Sequence, residues 1–103
     1  MAEIKQFNSF PVSYCRLSDD FLNQRVLAEY YHHDMPSEPS ISVLGVLTDV
    51  FISNDDDGYI NLRFENGTDI SFKKENYLTN ISNEEVVFTS KYDSETYCII
   101  TIQ

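Results

Sequence analysis

The stretch Tyr59-Ile60-Asn61-Leu62-Arg63-Phe64-Glu65-Asn66-Gly67-Thr68-Asp69-Ile70-Ser71-Phe72-Lys73-Lys74 decides the fold class. Ile60, Leu62 and Phe64 alternate with Asn61, Arg63 and Glu65, and Ile70 and Phe72 alternate with Asp69, Ser71 and Lys73. A period of two is the mark of a half-buried strand. Asn66-Gly67 between the two runs is the strongest short hairpin signal, because both residues accept the positive φ of a type I′ turn. The stretch therefore predicts two antiparallel strands with their apolar residues facing one core.

Upstream, residues 41–53 (ISVLGVLTDVFIS) are rich in β-branched residues and apolar on both alternation sets. That pattern fits a strand buried on both faces, or one that bends at Gly45 and changes the sheet it serves. Downstream, residues 75–84 break the alternation and read as a connection holding at most one helical turn. Glu85 to Tyr92 and Thr96 to Ile102 form a second hairpin about Asp93-Ser94-Glu95, with Cys98, Ile100 and Ile102 on one face. Further upstream, residues 18–33 carry a helical stripe, with Leu22, Val26 and Tyr30 at i, i+4 and i+8 behind Ser18 as an N-cap. Residues 35–40 (MPSEPS) read as a linker, and residues 6–17, with Pro11 among them, as an arm or edge strand. The expectation is a single α+β, mainly β domain over residues 1–103. In it an N-terminal helix precedes a five-stranded antiparallel curled sheet or small barrel, of Sm-like or OB-like shape.

The chain has 103 residues and a formal net charge of −10. With 42% hydrophobic and 14% aromatic residues it is too apolar for an acidic disordered tail. The charge also disfavours direct nucleic-acid binding, which draws on a surplus of Lys and Arg. No apolar run approaches the ~20 residues of a membrane-spanning helix. The first residues show no basic segment followed by an apolar stretch of about 7–15 residues, so the sequence predicts a cytoplasmic protein with reduced thiols.

Half of the acidic surplus falls on residues 49–69, where Asp49, Asp55, Asp56, Asp57, Glu65 and Asp69 face Arg63 alone. Asn54 to Gly58 has the look of a calcium loop. With Gly58 at the sixth position, however, Phe64 occupies the twelfth, where a bidentate acid is required, and both flanks read as strands. His32 and His33, placed on a helix, point about 100° apart and do not converge on a metal. Cys15 and Cys98 belong to no CxxC, and Cys98 reads as a core residue. No P-loop, GxSxG or GxGxxG is present. The sequence thus predicts no catalytic, cofactor or metal site.

What remains is a surface of Asp49, Asp55, Asp56, Asp57, Glu65 and Asp69 together with the outward Tyr59 and Tyr97. Tyrosine buries area at low entropic cost and keeps a polar tip, and carboxylates steer a basic partner. The expected function is a non-enzymatic inhibitor that occupies a basic, nucleic-acid-handling protein surface, a nuclease for example. Phage anti-defence and immunity proteins are often objects of this type, and the analogy is one of type, carried by no motif. The alternative is a small-barrel adaptor or regulatory subunit whose acids serve solubility.

Overall fold

The computed structural model describes residues 9–53, 58–82 and 84–103. The protein is mainly β, with one short N-terminal helix and a seven-stranded antiparallel sheet that does not close. The sheet therefore has seven strands where the sequence pattern suggested five.

Helix α1 (Phe10–Arg16) begins at Ser9, whose backbone is extended and whose Oγ accepts from the Val12 N–H at 3.4 Å. Pro11 sits in the first turn, where a missing N–H costs nothing. The arm expected over residues 6–17 is thus a helix across its second half. The chain then widens into a π-helical turn, Leu17–Phe21, closed by the Leu22 N–H on the Leu17 carbonyl at 3.1 Å. Both Leu17 and Phe21 are fully buried. Asn23 follows at φ 67, a left-handed conformation that Asn tolerates better than most residues.

That turn ends helical structure where the sequence predicted most of a helix. Strand β1 (Arg25–Tyr31) occupies the second half of the 18–33 segment. Val26 and Ala28 are buried and Tyr30 packs on the core, so the residues read at helical spacing also satisfy a period of two. The strand lies between two partners, and that pairing overrides the helical pattern.

Strand β2 (Ile41–Ser53) keeps the bounds expected of it and does serve two sheet regions. Its first part pairs with β1, ending at Arg25↔Val46. Its second part pairs with β3 (Tyr59–Phe64), starting at Leu47↔Phe64. The irregularity lies between Leu47 and Asp49, not at Gly45. The handover is held by the Asn23 N–H on the Leu47 carbonyl at 2.7 Å and the Leu47 N–H on the Gln24 carbonyl at 3.0 Å.

β3 and β4 (Asp69–Lys73) form the expected hairpin, with Ile60, Leu62, Phe64 and Phe72 buried. Its turn differs from the expected type I′. Among the described residues only Asn23, Gly58 and Gly67 have positive φ, so Asn66 does not. The Gly67 N–H reaches the Phe64 carbonyl at 3.0 Å and the Phe64 N–H reaches the Thr68 carbonyl at 2.9 Å. This is a type I turn followed by a left-handed glycine. Asn66 contributes its side chain, whose Oδ1 accepts from the Thr68 N–H at 2.9 Å.

Residues 75–84 hold a strand rather than a helical turn, β5 (Tyr77–Ile81), paired with β6 (Glu85–Ser90). β6 pairs with β7 (Tyr97–Ile102), and β7 returns to β1. The order is β4-β3-β2-β1-β7-β6-β5. β4 and β5 are thus the two edges, although only Lys74, Glu75 and Asn76 separate them in the chain. Such a connection spans at most ~14 Å, whereas six flat strand spacings of about 4.8 Å cover about 29 Å. The sheet must curl. Accordingly Phe72 of β4 stacks on Phe88 of β6 with centroids 3.9 Å apart and planes 6° apart. It also meets Tyr77 of β5 edge-on at 5.3 Å. Among the described residues no ladder joins β4 to β5, so the curl stops short of closure. α1 covers the β5 side, where the Ser13 hydroxyl donates to Thr79 Oγ1 at 2.7 Å with both residues fully buried.

Candidate functional site

The outer face of the second part of β2, β3 and β4 carries Asp49 and Asp69, two of the acids of the expected surface, as cross-strand neighbours of Arg63. Asp49, Arg63 and Asp69 form one row, since Asp49 pairs with Arg63 and Arg63 with Asp69. The Arg63 guanidinium binds Asp69 in a fork, Nε to Oδ1 at 3.1 Å and Nη2 to Oδ2 at 3.4 Å. It also lies over the Phe51 ring, 5.3 Å from the centroid. The hydrogen bond and charge of Asp69, and then the charge of Asp49, raise the pKa of Arg63 further. Asp49, Glu65 and Asp69 are all exposed, with Glu65 in the hairpin turn. Below this row Asn61 joins the strands, accepting from the Ser71 hydroxyl at 2.6 Å and donating to the Phe51 carbonyl at 3.2 Å. Tyr59 lies opposite Ser53 and Lys73 on the same outer face, half-buried. Asp55, Asp56 and Asp57 lie outside the described residues.

Tyr97 does not join this group. It lies on the outer face of β7, three places from β3 in the strand order, and stacks on Tyr31 with centroids 5.0 Å apart and planes 20° apart. Around it the outer face of β2, β1, β7 and β6 is apolar in part. Leu27 pairs with Leu44, Glu29 with Ile99, and Ile99 with Val87. Leu44 is 47% exposed. The sequence could not reveal this face, because β1 read as a helix and the register that aligns these residues depends on it.

The histidines also sit differently from expectation. Residues 32–34 follow β1 in a turn, not on a helix, and the His32 and His33 rings face each other with centroids 4.0 Å apart. The divergence expected of adjacent helical residues is therefore absent. His33 Nδ1 lies 2.6 Å from Asp93 Oδ2. Asp93 is held below the usual carboxylate range by hydrogen bonds from the Thr96 hydroxyl and the Glu95 N–H, with a further contribution from His33.

Of the cysteines, Cys15 is exposed and Cys98 buried. Burial, with a contribution from Glu29, pushes the Cys98 thiol up to about 12. The buried thiol is part of the hydrophobic core, as expected of it. Beside Cys98 a cavity of about 240 Å³ lies between Tyr30, Val43, Ile70 and Phe72. It is almost wholly apolar and smaller than the roughly 300–1,000 Å³ of ordinary ligand pockets. Among the described residues no helix is long and apolar enough to cross a membrane. The chain matches no protein-family model, and no curated protein and no solved structure matches it significantly.

Proposed function

We propose that the chain is a non-enzymatic protein-binding module that inhibits a partner by occupying a basic, nucleic-acid-handling surface. The observation that carries this reading is the exposed pair Asp49 and Asp69 flanking Arg63 on one outer sheet face, with exposed Glu65 in the adjoining turn and Lys73 at the far end of that face. Strand pairing fixes the spacing of Asp49 and Asp69, so little backbone freedom is lost when a partner's Arg or Lys engages them. A groove shaped for phosphates already presents such cations, and the chain's net charge of −10 speeds the encounter. By analogy of type the chain stands, on this reading, with phage anti-defence or toxin-immunity proteins, and a cytoplasmic setting suits such a role.

A second reading, the adaptor, draws on the Tyr31–Tyr97 stack and the half-exposed Leu27, Ile99 and Val87 beside Leu44. An apolar sheet face with a polar margin is also a protein-binding surface. The two readings separate in one capture experiment from a lysate of the native host. The inhibitor reading expects a nucleic-acid-handling partner that is lost at high salt and lost on Asp49→Lys/Glu65→Lys/Asp69→Lys, yet kept by Leu44→Glu. The adaptor reading expects the reverse.

A further inference from the structure

The ends of two connections meet at one edge of the β1–β7 ladder. Tyr31↔Tyr97 is the ladder's last pair, so the turn after β1 lies beside the turn that precedes β7. The first turn supplies His32, His33 and Asp34, each with one donor atom within 4.8 Å of the other two. It is closed by the Met35 N–H on the His32 carbonyl at 3.0 Å. The second supplies Asp93.

The contacts at His33 are the informative ones. Its Nδ1 faces Asp93 Oδ2 at 2.6 Å and its Nε2 faces Asp34 Oδ1 at 3.1 Å. An imidazolium donates to both carboxylates, whereas an imidazole with one N–H donates to one and turns its lone pair to the other. Asp93 is the better fixed of the two. Its Oδ2 accepts from the Thr96 hydroxyl at 2.7 Å and its Oδ1 from the Glu95 N–H at 3.0 Å. With a single proton, held on Nδ1 by Asp93, the Nε2 lone pair points at the Asp34 carboxylate, and a bound cation can take the place of a second proton between them. A carboxylate that orients a histidine through its far nitrogen is the usual outer partner of a metal-bound imidazole. On the other side, His32 Nδ1 lies 3.5 Å from Asp34 Oδ2 and accepts the Asp34 N–H in a long 3.3 Å bond, which an ion on that nitrogen would displace.

The geometry points to a divalent transition-metal site, of the kind zinc takes, formed by His32, His33 and Asp34 with Asp93 as the orienting carboxylate. Metal–ligand bonds of about 2.0–2.1 Å place tetrahedral ligands roughly 3.3 Å apart; the two nitrogen–oxygen distances lie near that value, each to a different oxygen of Asp34, and the three donor atoms all lie within 4.8 Å. Two imidazoles and one carboxylate select zinc and its neighbours over calcium and magnesium, which prefer oxygen donors throughout. Water completes the shell. Such an ion ties the turn after β1 to the β6–β7 turn.

The test is calorimetric titration of the untagged full-length chain with zinc chloride, with cobalt(II) absorption as a second probe. The expected result is one saturable site per chain. His33→Ala and Asp34→Ala abolish it, Asp93→Asn weakens it by about 10–100-fold, and Cys15→Ser leaves it unchanged. All four variants melt like the parent chain in EDTA. Absence of saturable binding overturns the assignment. So does binding that survives His33→Ala, or binding lost on Cys15→Ser, because either places the ion elsewhere.

Discussion

Cys98 shows how far a single position reaches. The thiol is 2% exposed, and its folded pKa of about 12 stands above the ordinary value of 9.0. In the native chain one thiol, Cys15, should react with Ellman's reagent at pH 8, and Cys98 only after unfolding. The same shift fixes a pH dependence. A group whose pKa is raised by folding holds its proton longer in the native state, so the unfolded chain ionises first and stability falls as pH rises from 9.0 toward about 12. Burial raises Tyr77 and Tyr31 in the same direction. Urea melts between pH 8 and 11 should show this slope, and Cys98→Ala should flatten part of it. Two glycines make a second contrast. Gly67 has φ +87 with open space around it, so Gly67→Ala strains the backbone and should cost about 1–2 kcal/mol. At Gly45 no left-handed φ applies and an added Cβ would meet Phe64 Cδ2 at an ordinary 3.7 Å. Gly45→Ala should therefore lie within about 0.5 kcal/mol of the parent in urea melts. Equal losses at the two positions would contradict the turn assignment.

At the scale of elements, what the sequence made legible followed from burial on one face. β2, β3, β4, β6 and β7 all alternate cleanly or are apolar throughout, and their expected bounds hold to within two residues. β1 and β5 were not legible, for different reasons. In β1, Val26 and Tyr30 fit both a period of two and a period near four, and only pairing with β2 and β7 decides between them. In β5 the inward positions are Tyr77, Thr79 and Ile81, and the central one is a hydroxyl residue. Thr79 is tolerated inside because Ser13 bonds it across 66 positions of chain, a contact no local pattern announces. The helix was missed for a related reason, since Pro11 read as a strand-edge residue although it also suits a first helical turn behind Ser9. The acidic row was legible because Asp49, Arg63 and Asp69 belong to strands read correctly, whereas Tyr31, Leu27 and the His32–Asp34 turn depended on the misread β1. The strand order itself is testable by hydrogen exchange. The amides of β1, bonded on both sides, should exchange slowest, and those of the edge strand β4 fastest. Fast exchange in β1 would contradict its central position.

For the whole molecule, charge and shape act together. The curl fills its interior with a single buried cluster, so the described residues offer their chemistry on the outside. One outer face carries the acids beside Arg63, and the other carries the tyrosine stack and exposed leucine. The central claim is that the acidic face makes the functional contact. It is tested most directly by measuring the association rate with the captured partner against ionic strength. The parent chain should be compared with the Asp49→Lys/Glu65→Lys/Asp69→Lys variant and with Leu44→Glu. The account predicts that the parent's rate falls steeply with salt, that charge reversal lowers it by roughly 10-fold or more at low salt and flattens the dependence, and that Leu44→Glu leaves both intact. A rate indifferent to salt and to charge reversal, with binding lost in Leu44→Glu, would contradict it.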